Sequence, residues 1–171
     1  LTTTLTLERC TLTGNLVRGP NVAGGAIVNE GTVALTHCTL DGNAAINTHT
    51  DGVSAGGAIY GAGSLTLTHC TLSGNSATGD GVGFGGAIYG DAVLKNCIVA
   101  GNTANSGTNS PTVEDNIDGT ILPGSSNNII GGSPLLGPLA DNGGPTKTMA
   151  LLPGSPALDA GAVIAGQPTD Q

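Results

Sequence analysis

Apolar residues recur along this chain in short alternating bursts. In Leu65-Thr66-Leu67-Thr68-His69-Cys70-Thr71-Leu72-Ser73-Gly74-Asn75, Leu65 and Leu67 flank Thr66 with the period of two that marks a strand with one buried face. Thr68 and His69 interrupt the alternation with two polar residues, which predicts a bend. Cys70 and Leu72 then resume the inward set. Gly74 permits the tight backbone that leads into Asn75. The same burst is spelled by Leu5, Leu7, Cys10 and Leu12, by Val33, Leu35, Cys38 and Leu40, and by Val93, Leu94, Cys97 and Val99. In the last burst the alternation shifts by one at Ala92.

Two phrases interleave. One is Cys-x-Leu/Val-x-Gly-Asn, at Cys10–Asn15, Cys38–Asn43, Cys70–Asn75 and Cys97–Asn102. The other is Gly-Gly-Ala-Ile, ending at Ile27, Ile59 and Ile88. The cysteines stand 28, 32 and 27 residues apart, a period that predicts a solenoid whose repeats are stable only when stacked. The Gly-Gly pair precedes its cysteine by 14, 14 and 12 residues, whereas 8, 12 and 9 residues separate each asparagine from the next Gly-Gly pair. Constant spacing reads as scaffold and variable spacing as an outward loop. Three short strands per turn are expected, in an all-β, right-handed parallel β-helix of about 27–32 residues per rung. A β-sandwich, the rival fold, does not account for the fixed spacing. Rungs are expected over 1–133. Asn116–Gly119 and Asn128–Gly131 are degenerate strands, and an irregular capping segment of the same domain fills 134–171.

Composition sharpens this picture. The 171 residues include 30 glycines and 9 prolines, which disfavours long helices. Aromatic residues are limited to Phe84, Tyr60 and Tyr89, so the core must be built of narrow aliphatic columns. A net charge of −8 with only four scattered basic residues, Arg9, Arg18, Lys95 and Lys147, argues against nucleic acid as a partner. No apolar run approaches the ~20 residues of a membrane helix. The chain opens directly on strand-like Leu1–Leu7 with no signal-peptide pattern, so the start reads as mature or truncated. Leu1, Leu5 and Leu7 offer an edge and apolar side chains, a candidate surface for head-to-tail self-association or for neighbouring rungs of a longer chain.

Candidate chemistry is thin. One cysteine per rung predicts a column of Cys10, Cys38, Cys70 and Cys97. The readings are buried free thiols acting as small apolar groups, disulfides between adjacent rungs, or a metal site, although zinc motifs bring ligands closer in sequence. No metal or cofactor is expected. Asn15, Asn43, Asn75 and Asn102 share a corner and predict an amide ladder, with a glycan site as the alternative. His37 and His69 directly precede cysteines. Neighbouring strand residues face opposite ways, so their rings should point to solvent and form no catalytic dyad. Asp41, Asp51, Asp80, Asp91, Asp115 and Asp118 lack the spacing of a calcium loop. Thr11, Thr39 and Thr71 form an outward column, the usual content of an exposed β face.

The rungs resemble bacterial right-handed parallel β-helix surface proteins, including the Gly-Gly-Ala-Ile repeats of polymorphic outer-membrane proteins. The segments Asn96–Asn102, Asp115–Gly119, Leu136–Met149 and Pro153–Gly161 resemble the choice-of-anchor Q domain, a likeness that covers roughly 93–171. That resemblance implies export to the cell surface and a structural or adhesive role, and it supplies no catalytic residues. In similar proteins the Thr169-Asp170-Gln171 stretch is commonly followed by Arg-Gly. The expected function is a non-enzymatic module of an exported surface protein, acting as a stalk, an adhesin or a fibre unit. The alternative is a carbohydrate-binding or polysaccharide-degrading β-helix. Paired carboxylates on a sugar groove are not evident, and the Phe84–Tyr89 region is the only face suited to a surface glycan.

Overall fold

A computed structural model describes residues 3–105, 107 and 110–164. Leu1 and the Thr169–Gln171 stretch lie outside them. Each full turn of chain contains five strands rather than the three expected. The first coil is β1 (Thr4–Glu8), β2 (Thr11–Thr13), β3 (Leu16–Gly19), β4 (Val22–Ala23) and β5 (Ile27–Asn29). The second is β6 (Thr32–Thr36), β7 (Thr39–Asp41), β8 (Ala44–Asn47), β9 (Val53–Ala55) and β10 (Ile59–Gly61). The third is β11 (Ser64–Thr68), β12 (Thr71–Ser73), β13 (Ser76–Gly79), β14 (Val82–Phe84) and β15 (Ile88–Tyr89). A fourth contains β16 (Val93–Lys95), β17 (Ile98–Ala100), β18 (Thr103–Asn105), β19 (Thr112–Glu114) and β20 (Ile117–Asp118). A partial fifth retains β21 (Ile129–Ile130). The extra strands come from the variable stretches after each asparagine, which pair with their copies through Val22↔Ser54 and Val82↔Val53 instead of looping outward.

Equivalent strands stack in parallel into five sheets, ordered β1-β6-β11-β16, β2-β7-β12-β17-β21, β3-β8-β13-β18-β19, β4-β9-β14 and β5-β10-β15-β20. The fold is therefore an all-β parallel solenoid of about four turns. Its core forms where the alternating leucines of the first two sheets meet the isoleucines of the last. Leu35, Leu40, Leu67, Leu72, Ile59 and Ile88 are wholly enclosed. In the fourth coil Leu94 aligns with Leu67 and Val93 with the outward Thr66. Val93 is thus not an inward residue, and the burst continues as Ala92 and Leu94, both buried. The alternation does not slip; a small residue replaces a large one at its start.

The Gly-Gly phrase has a steric cause. Gly56 has φ +64°, and a Cβ there would lie 2.1 Å from the Ile59 carbonyl oxygen. A Cβ on Gly57 would lie 2.5 Å from the backbone nitrogen of Ser76. One glycine turns the corner, and the next lets two backbone segments touch across the inside of the coil.

Residues 134–164 fold back on the solenoid. β22 (Leu136–Ala140) and β23 (Thr148–Leu151) form an antiparallel hairpin. Its far end reaches the first coil, where the Thr11 hydroxyl donates to the Lys147 carbonyl at 2.7 Å. Its tail reaches the fourth, where Asn96 Nδ2 donates to the Ala162 carbonyl at 2.7 Å and Ala162 N donates to Asn96 Oδ1 at 3.0 Å. The segment is a strap along the flank, crossing the coils from last to first.

Candidate functional site

Four columns run the length of the solenoid, and each has a distinct chemistry. The thiol column holds Cys10, Cys38, Cys70 and Cys97, in register through Thr39 N to Cys10 O, Thr71 N to Cys38 O and Ile98 N to Cys70 O, each 2.9 Å. All four cysteines are free; Cys10 is half-buried and the others are buried. Each thiol donates at 3.3 Å to a carbonyl two residues back, as Cys38 does to Thr36 and Cys70 to Thr68. The thiols also bond to one another. Burial first, then its hydrogen bonds with Cys38 and Cys97, pushes Cys70 well above its ordinary value of 9.0. The hydrogen bond from Cys70 brings Cys38 down to about 7. Burial works against Cys97, but the bond from Cys70 leaves it lowered. In the fifth coil Asn128 takes this position, accepting from Cys97 N at 2.9 Å and donating to Leu94 O at 2.8 Å. A side-chain amide thus closes the column, which sequence reading missed because no cysteine marks that coil.

The second column is the amide ladder of Asn15, Asn43, Asn75 and Asn102. Each asparagine gives its backbone N–H and its Nδ2 to the Oδ1 of the next, with Nδ2–Oδ1 distances of 2.8, 2.9 and 2.8 Å. Nδ2 also reaches back to a carbonyl, as Asn75 does to Leu40 at 3.0 Å. Asn43, Asn75 and Asn102 are 0% exposed. Their amides are consumed, so a glycan attached to these three side chains is ruled out. A fifth member, Asn116, accepts from Asn102 Nδ2 at 2.8 Å and donates to Glu114 Oε1 at 2.9 Å. Asn116 follows Asn102 by only 14 residues, so the period of the other rungs does not reveal it.

The third column sits at the bend, where Arg9, His37, His69, Asn96 and Asn127 all adopt φ between 50° and 53°. This left-handed conformation is uncommon outside glycine. The His37 and His69 rings stack with centroids 4.9 Å apart and planes 6° from parallel. They do not point to open solvent as expected, for His37 is only 2% exposed. Beside them the threonine column is covered as well. Thr39 is 1% exposed, and Thr11 is bonded to the strap, so the expected exposed threonine face does not exist. A groove of about 780 Å³ remains between strap and solenoid, bordered by His69, Asn96, Ile98, Met149, Leu151 and Asp159 among others.

The fourth column is outward on the last sheet, where Val28, Tyr60, Tyr89 and Asp118 are in register. Tyr60 and Tyr89 stack at 5.4 Å and 1°, and Phe84 leans on Tyr89 at 6.3 Å. All three aromatic residues of the chain therefore share one corner.

No group of three or more metal-ligating side chains occurs among the described residues. The aspartates serve local turns: Asp115 Oδ2 accepts from Gly85 N at 3.0 Å and Asp91 Oδ1 from Thr120 N at 2.7 Å. Leu5 is 39% exposed at the first coil, with Leu7 half-buried beside it. No described helix is long and apolar enough to cross a membrane. Comparison of the chain with protein-family models, with curated proteins and with solved structures gives no significant match. The likeness to choice-of-anchor Q domains therefore stands on its motifs alone.

Proposed function

We propose that this chain is a non-enzymatic structural module, a stalk or adhesive segment, of an exported bacterial cell-surface protein. The observation that carries the reading is the amide ladder from Asn15 to Asn116, which spends the buried polar side chains on holding coil to coil. The thiols, likewise, donate to backbone carbonyls and to one another. Such an arrangement resists shear between coils and offers no reacting atom. The Gly-Gly-Ala-Ile rungs and the choice-of-anchor Q motifs of 93–171 add the expectation of export.

Protease shaving of intact cells that express the full-length protein tests the location: peptides of this segment should be released without lysis. Incubation with a panel of polysaccharides tests the absence of chemistry. Release of reducing ends that disappears in Asp159→Asn, in the groove under the strap, would overturn the reading. A carbohydrate-binding role is the second reading, favoured by the Tyr60, Tyr89 and Phe84 corner. The tyrosine rings already cover one face of each other, so a sugar would meet their edges and hydroxyls. Glycan-array binding abolished by Tyr60→Ala and Tyr89→Ala would favour that role instead.

A further inference from the structure

The two ends of the solenoid are chemically different. At the first coil, β1, β2, β3, β4 and β5 are all edge strands, one for each of the five sheets. Open edges of this kind normally carry protection. Here the inward Leu5 is 39% exposed, whereas its equivalents Val33 and Leu65 are 4% and 1% exposed. Cys10 is the one half-buried thiol, and Asn15 is the exposed member of its ladder.

The opposite end is finished. The last ladder amide, Asn116 Nδ2, is taken by Glu114 Oε1. The third sheet ends on β19, which runs antiparallel to β18. The thiol column ends on Asn128.

The ladder also has a direction, because every asparagine donates toward the higher-numbered coil. The group left over at the first coil is an acceptor, Asn15 Oδ1, toward which no described residue is seen to donate. Two first coils meeting face to face would oppose acceptor to acceptor. A last coil meeting a first coil would bring an amide already held by Glu114 and an antiparallel strand where β3 needs a parallel one. Both modes of self-association therefore lack the required donor, and the net charge of −8 opposes them further.

We propose that the first-coil end is a docking face for one more parallel rung, carried on the same polypeptide ahead of Thr4. That rung presents an asparagine whose N–H and Nδ2 donate to Asn15 Oδ1, with apolar side chains over Leu5 and Cys10. A tether is needed because strands of 5, 3, 4, 2 and 3 residues are each too short to hold a partner alone and must be matched together. A covalent connection supplies the effective concentration for that. The proposal rests on the structural reading of this module, but the two fail separately. Turnover or glycan binding would end that reading without touching the added rung.

The test joins a second copy of residues 32–63 directly ahead of Thr4, since Thr4, Thr32 and Ser64 share one register position. A matched chain carries Asn43→Ala in the added copy only. Hydrogen exchange of the β1–β3 amides facing away from the second coil should slow more than tenfold with the asparagine copy. With the alanine copy it should slow markedly less, above all in β3. Unchanged exchange with both copies, or equal protection by both, would overturn the proposal. Sedimentation of the unextended chain should show a monomer. A dimer or polymer dissolved by Leu5→Lys would assign the face to a second copy and overturn it too.

Discussion

Asn75 gives both its backbone N–H, at 2.9 Å, and its side-chain Nδ2, at 2.8 Å, to one oxygen, Oδ1 of Asn102. The same oxygen position on Asn75 receives two donors from Asn43, both at 2.9 Å. One buried side chain thus completes the hydrogen bonds of two coils, which couples their stability.

Replacing Asn75 with leucine should therefore cost far more than one hydrogen bond. It orphans Asn43 N, Asn43 Nδ2 and the Leu40 carbonyl. At about 1–3 kcal/mol for each buried unsatisfied group, a loss of more than about 3 kcal/mol in urea unfolding is expected. Asn15→Leu, at the exposed end, should cost about 1 kcal/mol or less. Equal costs for the two would remove the ladder as the principal tie.

Alkylation should separate the thiols. Cys10 is half-buried and Cys38, Cys70 and Cys97 are buried, so mass spectrometry after iodoacetamide should find Cys10 labelled first. The others should react only as the chain unfolds. Comparable native rates at all four would contradict the stacked arrangement.

Cys70 also predicts a pH dependence. Its folded value lies well above 9.0, so its contribution to stability is fully present below the unfolded value. That contribution is lost as pH rises toward the folded one. Unfolding free energy should fall as pH rises above 9, a window in which Cys38, lowered to about 7, no longer titrates. Cys70→Ala should flatten that slope whatever it does to stability at pH 7.

The bend column predicts an unusual substitution order. His69 has φ +52°, a conformation that asparagine tolerates and β-branched residues do not. Asn96 occupies the same position one coil on. His69→Asn should be nearly neutral, while His69→Val should lose about 1–2 kcal/mol. Thermal unfolding that ranks valine level with asparagine would refute the geometry.

The strap should loosen locally when its clasp is removed. Asn96→Ala deletes both bonds to Ala162. The expected stability change is below about 1 kcal/mol because the contacts are exposed. Exchange at the Ala162 amide should nevertheless accelerate, and His69 should react faster with diethyl pyrocarbonate. Unchanged rates at both would mean that the strap is held elsewhere.

The repeat, the inward leucines, the shared corner of Asn15, Asn43, Asn75 and Asn102 and the alignment of the cysteines were all legible in the sequence. Each follows from local rules, since period-two burial and constant spacing oblige identical residues to stack once the chain coils. What the tertiary structure alone decided lies where spacing fails or where distant segments meet. The five-strand coil depends on the variable stretches pairing with their own copies, which no local pattern announces. Asn116 and Asn128 join their columns from irregular positions because a buried donor or acceptor selects any amide that can reach it. The burial of His37 and Thr39 reflects the strap, a segment more than a hundred residues away in sequence (Thr11 to Lys147 spans 136). Burial of an outward residue is a property of what packs over it, and no alternation along its own strand encodes that cover.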